Sequence, residues 1–445
     1  MLRKAWALAI ETLSWMELEQ LDERLAFSRT TKQLGIQDSN AVGLAYKMVC
    51  ETIRRKNFID HVVNSALAPR SLEDFKLGVQ AFLRLYVHQL KFQQSSFENA
   101  VEIVRMGRSI LGWRELQEVE GILGELFSLS VNSTLEGLSD EEKVGLLTYH
   151  PMWFVKYCFH LLGRSEALRF LESNIGVLPT YIRVNTLKAP TKVLLERIEN
   201  DGIKLEKVRG LQHSYKVKTT KHLLTQTLSF RQGLFYVQDK ASCFAVEVAD
   251  PKPDTTVLNG CASHGAKTTY TAQLMKNRGV IYSIDYSKHK IKMLKREIKR
   301  MNVKIAEPVL ADARKPLPVH VAADLVVLEP PCTNTGIFSK KPSVKWELTE
   351  ESIRGMSKVQ WDMLNQCAEH VKKGGLLVYS TRSITVEENE MLIERFMKWH
   401  PEFKLIKAAP KLGHPGLRGQ TYCRRLYPHI HECNGFFVAK LLKEA

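Results

Sequence analysis

The sequence contains no run of about 18 apolar residues, so nothing in it reads as a membrane-spanning helix. Its eight cysteines (Cys50, Cys158, Cys243, Cys261, Cys332, Cys367, Cys423 and Cys433) include no Cys-x-x-Cys pair. That excludes zinc-ribbon spacing, argues against a disulfide framework, and points to the reducing cytoplasm. Internal repeats and low-complexity tracts are absent. The basic start, Leu2-Arg3-Lys4, runs straight into Glu11, Glu17 and Glu19, which suits an amphipathic helix and not a secretory leader. Acidic residues are in short supply: 48 Asp and Glu face 64 Lys and Arg, a net charge of +16. An excess of that size points to a polyanionic partner, nucleic acid ahead of a membrane surface. What is present in ordinary amount, 44% hydrophobic residues over 445 positions, is enough for two or three domains with real cores.

Residues 1 to about 130 are poor in strand signals, and Phe75 to Tyr86 places apolar residues at helical spacing, so this part predicts an all-α domain. Residues 131–236 predict linker helices and then a small α+β subdomain. From residue 237 to 445 the pattern becomes strand, helix, strand, helix. Thr256–Leu258, Val280–Ile284, Leu325–Leu328 and Leu376–Tyr379 are the expected parallel strands, with Gly435–Lys440 as a terminal strand. The fold class is therefore α/β, with a Rossmann-like domain at the end of the chain.

In such a sheet, ligands and chemistry collect where strands end. The first strand runs into a small-residue loop, Asn259 to Lys267, before a helix expected from Thr268. Loops of this kind bring backbone N–H groups close to an anion, although an ordinary strand-to-helix turn looks the same. Asp285 ends the next strand, suited to ribose hydroxyls or, more plainly, to capping a helix. Asp312 follows a third strand. The fourth ends in Glu329-Pro330-Pro331-Cys332, and the fifth in Ser380-Thr381-Arg382-Ser383. The set in register fits an S-adenosylmethionine (SAM) methyltransferase better than any member does alone. No metal-ligand spacing is present.

The motifs Ile182-Arg183-Val184-Asn185-Thr186-Leu187-Lys188, Tyr236 to Ser242, Pro330-Pro331-Cys332, Lys341 to Trp346, Tyr379 to Ile384 and Arg425 to His429 carry a resemblance. From about residue 148 onward the chain resembles the Sun/NSUN family of RNA cytosine-C5 methyltransferases. Residues 1–130 are similar to the NusB-like RNA-binding domain of some members. The resemblance implies a SAM site at Cys261, Ala262, Ser263, His264, Gly265, Ala266, Lys267, Asp285, Asp312 and Glu329. It implies RNA contacts at Arg183, Asn185, Lys188, Lys340, Lys341 and Lys345, and rRNA or tRNA as partner, with oligomeric state left open.

In the family, a thiolate adds to C6 of cytosine and makes C5 nucleophilic enough to take a methyl group. The Cys that does so sits in a Ser-Thr-Cys-Ser turn, and here that position is Arg382. A guanidinium offers only donors and cannot form the adduct. The second family Cys, which helps release product, is kept as Cys332. Glu329 stands where the family has Asp, and the cofactor loop has Asn259, His264 and Ala266 for acidic, Pro and Gly residues. If position 266 requires φ > 0, Ala there costs roughly 1 kcal/mol. The resulting expectation is an RNA-binding protein without catalysis, its SAM binding weakened or lost. The alternative is an active methyltransferase with Cys332 as nucleophile, its pKa lowered by Arg382, and with Glu329 as the other catalytic residue.

Overall fold

The structure, a computed structural model, describes residues 1–444. It divides into two units: residues 1–176 with 338–347, and residues 177–337 with 348 onward. Among the described residues no helix is long and apolar enough to cross a membrane.

The first unit is helical, from Leu2–Glu19 to Arg164–Ser173. The linker helices expected after residue 130 are present and lie in this unit, which runs to Gly176. Helix Leu77–Phe92 is buried nearly all round, which places it at the centre of the unit. Its Arg84 is neutralised there by Asp60 (Nε to Oδ1, 2.7 Å) and Glu17 (Nη1 to Oε1, 3.0 Å). The segment 338–347 belongs to this unit. Phe338 packs edge-on against Phe154, Ser343 donates to Glu23, and Trp346 Nε1 donates to the Ile53 carbonyl at 2.6 Å.

The second unit holds thirteen strands: β1 (Tyr181–Val184), β2 (Ile203–Lys207), β3 (Ser214–Thr220), β4 (Phe235–Val237), β5 (Thr255–Asn259), β6 (Gly279–Asp285), β7 (Ala306–Leu310), β8 (Ala323–Leu328), β9 (Val371–Thr381), β10 (Phe403–Ile406), β11 (His414–Pro415), β12 (Arg424–Leu426) and β13 (Phe436–Lys443). The first four make an antiparallel sheet in the order β2-β3-β1-β4. The others make a nine-stranded sheet, β11-β12-β13-β9-β8-β5-β6-β7, with β10 on β13. Strands β5 to β9 run parallel, and β13 returns antiparallel to β9. This is a Rossmann-like methyltransferase domain. Its inner strands are buried on both faces, as Leu325, Val326, Val327 and Leu328 are, which is why they read as continuous apolar runs.

Because β5 pairs with β6 on one side and with β8 on the other, the chain order reverses beside it. A cleft opens at the carboxyl ends of strands that part in this way.

Candidate functional site

The cleft has two lobes. The first, about 240 Å³, is flanked by Tyr286, Val359, Met363 and Pro331, with Asp285 and Asp312 on its rim. The second, about 370 Å³, is lined by Lys267, Glu329, Cys332 and Arg382. Cys261 borders both.

The loop after β5 is held by its own bonds. Gly260 N donates to Val327 O at 3.0 Å and Ala262 N to Ile284 O at 2.8 Å. Ser263 N donates to Asp285 Oδ2 at 2.9 Å. The N–H groups at 260–263 are therefore largely engaged within the protein, so the expected anion cradle reduces to the first turn of helix Ala266–Leu274. That helix begins two residues earlier than the sequence suggested. Gly265, at φ +91°, makes the turn into it, and a Cβ there would lie 2.6 Å from Leu294 Cδ1. Ala266 is already helical, so the strain expected there is absent. Asn259 fills the family's acidic position by donating to Thr268 Oγ1 at 3.0 Å.

Asp285 is buried and accepts from Ser263 N and Ser287 N, one on each oxygen. Each oxygen keeps a lone pair for a further donor. Asp312 lies two residues beyond β7, and Arg314 grips both its oxygens, which holds its carboxyl below the usual range. Two carboxylates beside a partly apolar lobe suit a nucleoside, so these residues fit the adenosine of SAM.

In the second lobe, Glu329 sits between two cations. Lys267 Nζ contacts Oε2, and Arg382 Nε lies 3.4 Å from Oε1. Burial opposes ionisation of Glu329, but the two cations outweigh it and hold its carboxyl below its ordinary value. The Arg382 side chain is 41% exposed, against 10% for Glu329. Cys332 Sγ points to Asn334 Oδ1 at 3.7 Å, and its thiol is pushed up to about 12, first by burial and then by Glu388. Arg382 pulls that value down and does not overcome the other two. His264 is drawn below its usual value by burial and by Lys290, which favours the neutral ring at pH 7.

The turns carrying Cys332 and Arg382 are fastened together. Gly336 N donates to Arg382 O at 3.0 Å, and Ile384 N to Thr335 Oγ1 at 2.9 Å. Glu388, fully buried, accepts from Thr333 N (2.8 Å), Gln360 Nε2 (2.8 Å), Ser383 Oγ (2.5 Å), Thr385 Oγ1 (2.8 Å) and the Thr333 hydroxyl. Gly336 also lets the Cys332 turn approach the segment before β13, since a Cβ there would lie 2.2 Å from Gly435 O.

The residues expected to face RNA divide. Lys188 and Lys340 are exposed, and Lys341 is half-buried, 3.7 Å from Asp22. Arg183, Asn185 and Lys345 are buried, which corrects the expectation for all three. Arg183 is a strut between β1 and helix Ala266–Leu274, donating to Gln238 and Thr269 at 2.9 Å and to Gln273. Asn185 donates to the Gly233 and Met301 carbonyls, both at 2.9 Å. Lys345 Nζ donates to the Arg54 carbonyl at 2.8 Å. Polar residues in an otherwise surface-like motif gave no hint of this. Lys290 and Asn434, which line the second lobe, were not singled out from the sequence. A carboxamide between Cys433 and Gly435 carries no periodic signal. Lys290 is one cation among many on its helix.

Comparison with known proteins places the chain among RNA methyltransferases. Residues 246–442 match the family model for the 16S rRNA methyltransferases RsmB and RsmF. The chain is 29% identical to the probable ribosomal RNA small subunit methyltransferase B of Bacillus subtilis, over 98% of each protein. It is 35% identical to the tRNA (cytosine(72)-C(5))-methyltransferase of Pyrococcus horikoshii, over 49% of this chain and 55% of that one. A crystal structure of a methyltransferase homolog from Pyrococcus horikoshii superposes with a TM-score of 0.62 at 30% identity, over 69% of this chain and 100% of that one.

Proposed function

Because the chain belongs to the RsmB/F, or Sun/NSUN, family of SAM-dependent RNA cytosine-C5 methyltransferases, we propose that it is an RNA-binding member, acting on rRNA or tRNA, that does not transfer a methyl group. The observation that carries this reading is Arg382. A cation in contact range of Glu329 stands where the reaction requires a bond-forming thiolate.

The reaction has two demands on this cleft. An attacking sulfur must be ionised near neutral pH, and the target base must reach Glu329 just after β8 and Lys267 in the first turn of the helix after β5. Arg382 supplies no electron pair. Its charge also lies 3.4 Å from Glu329 Oε1, the oxygen a base amino group would otherwise approach. Cys332 is no substitute, because a thiol held at about 12 is almost wholly protonated at pH 7. Burial is the larger cause of that rise and the neighbouring Glu388 carboxylate the second. The raised thiol weighs against the reading in which Cys332 attacks.

SAM, where bound, supplies an electrophilic methyl group. Asp285 and Asp312 would hold its adenosine, and Cys261, Ala262 and Lys267 would border its remaining part. Since Ala266 is unstrained and Asn259 is bonded inward, these residues support retained, weakened SAM binding. The helical residues 1–130 serve in this reading as a NusB-like RNA-binding part.

Single-turnover assays with radiolabelled SAM, on rRNA and tRNA lacking C5 methylation, test the proposal. The expected result is RNA binding with no label transferred. Label on cytosine C5 would overturn it.

A further inference from the structure

Helix Lys288–Arg300 carries seven cations and one carboxylate in thirteen residues. The carboxylate, Glu297, is taken by Arg300, with Nη2 to Oε2 at 2.6 Å. Lys290 turns to the cleft. The five that remain, Lys288, Lys292, Lys295, Arg296 and Lys299, follow i, i+4, i+7, i+8 and i+11, so they share one flank of the helix. Among the described residues none of the five has a carboxylate partner. All five are exposed.

Like charges one turn apart weaken a helix, so this stripe is not there to stabilise its own element. Elsewhere the protein balances such spacings, as with Arg55 and Glu51 or Lys398 and Glu394. The five cations rim an open groove of about 570 Å³, whose floor is Ile291 and, from β7, Leu310. Leu310 is 45% exposed. From Lys288 to Lys299 the rim is about 16 Å long at 1.5 Å per residue.

We propose that this groove, on the flank of the helix away from the cleft, binds a single strand of RNA, with phosphates on the cationic rim and ribose or base faces over Ile291 and Leu310. A polyanion is selected because the rim has no acid among its five cations. A single strand is selected over a duplex because the floor is apolar, and in a duplex the base faces that would cover it are already stacked. The inference rests on the reading of the protein as an RNA binder, and adds a second place of contact outside the reaction cleft.

The test is fluorescence anisotropy with a labelled twelve-nucleotide oligouridine and a twelve-base-pair RNA duplex, titrated from 50 to 400 mM KCl. The variants are Lys292→Gln/Lys295→Gln/Lys299→Gln, the same three changed to Arg, and a charge-matched control, Lys204→Gln/Lys373→Gln/Lys407→Gln. At about 0.7 counterions per single-strand phosphate contact, the first triple should flatten the slope of log K against log salt by about 2 and weaken oligouridine about 100-fold at 0.1 M salt. The arginine triple and the control should bind like the native protein. If the native protein binds RNA and the glutamine triple matches the control, the inference fails and the broader RNA-binding reading stands. Preference for the duplex with the same loss overturns the single-strand assignment. No binding by the native protein overturns both.

Discussion

Glu329 and Arg382 form an uneven pair: the carboxylate is nearly buried, while the arginine side chain is partly open to solvent. Removing each should therefore cost differently. Arg382→Ala leaves Glu329 paired with Lys267, and the lost contact is screened, so the expected cost is under about 1 kcal/mol. Glu329→Gln leaves the enclosed Lys267 without a counterion and should cost about 3 kcal/mol by thermal unfolding. The pH dependence follows from the sign of the shift. The folded carboxyl lies below its unfolded value of about 4.3, so its contribution is complete above roughly pH 5 and is lost as pH falls through the folded value. The gap between native protein and Glu329→Gln should be flat from pH 5 to 8 and shrink below pH 4. A gap that widens on acidification would show that Glu329 is not stabilised as an anion.

Cys332 gives a second residue-level expectation. With its thiol at about 12 and the residue 5% exposed, it should resist iodoacetamide at pH 8 under native conditions. Peptide mass spectrometry reads this directly, and alkylation at the rate of a free thiol would contradict it. The contact between Arg382 and Glu329 joins two positions that stand out in the sequence as departures from the family's motifs. The burial of Arg183, Asn185 and Lys345 was not legible there, since a lysine or arginine in a sequence looks the same whether it meets a phosphate or a buried carbonyl.

At the scale of elements, the two functional turns owe their geometry to Glu388. One carboxylate with five donors and no cationic partner ties the turn after β8, the turn after β9 and helix Glu350–Ala368 together. Glu388→Ala strands several buried donors, each worth about 1–3 kcal/mol when unsatisfied, so the expected loss is at least about 3 kcal/mol in urea unfolding. A loss under 1 kcal/mol would mean the turns hold without it. The inner strands were readable because doubly buried parallel strands are apolar throughout. The helix after β5 was placed two residues late, because Gly265 and not Ala266 takes the positive φ. The donors that fasten the turns were hidden, since Thr333, Thr335, Ser383 and Thr385 carry no periodic pattern.

Over the whole molecule, the surplus of 16 positive charges and the family's RNA substrates agree with binding that weakens with salt. The helical unit takes in the excursion 338–347, which no composition shift announced. Leaving the sheet-based unit and rejoining it within ten residues is a tertiary event, visible once Phe338, Ser343 and Trp346 have found their partners.

The central claim is that neither Arg382 nor Cys332 attacks a cytosine in this cleft. Native protein incubated with SAM and 5-azacytosine-substituted RNA, then run on a denaturing gel, measures this most directly. The account predicts no covalent protein–RNA band. A band that disappears in Cys332→Ala would contradict it.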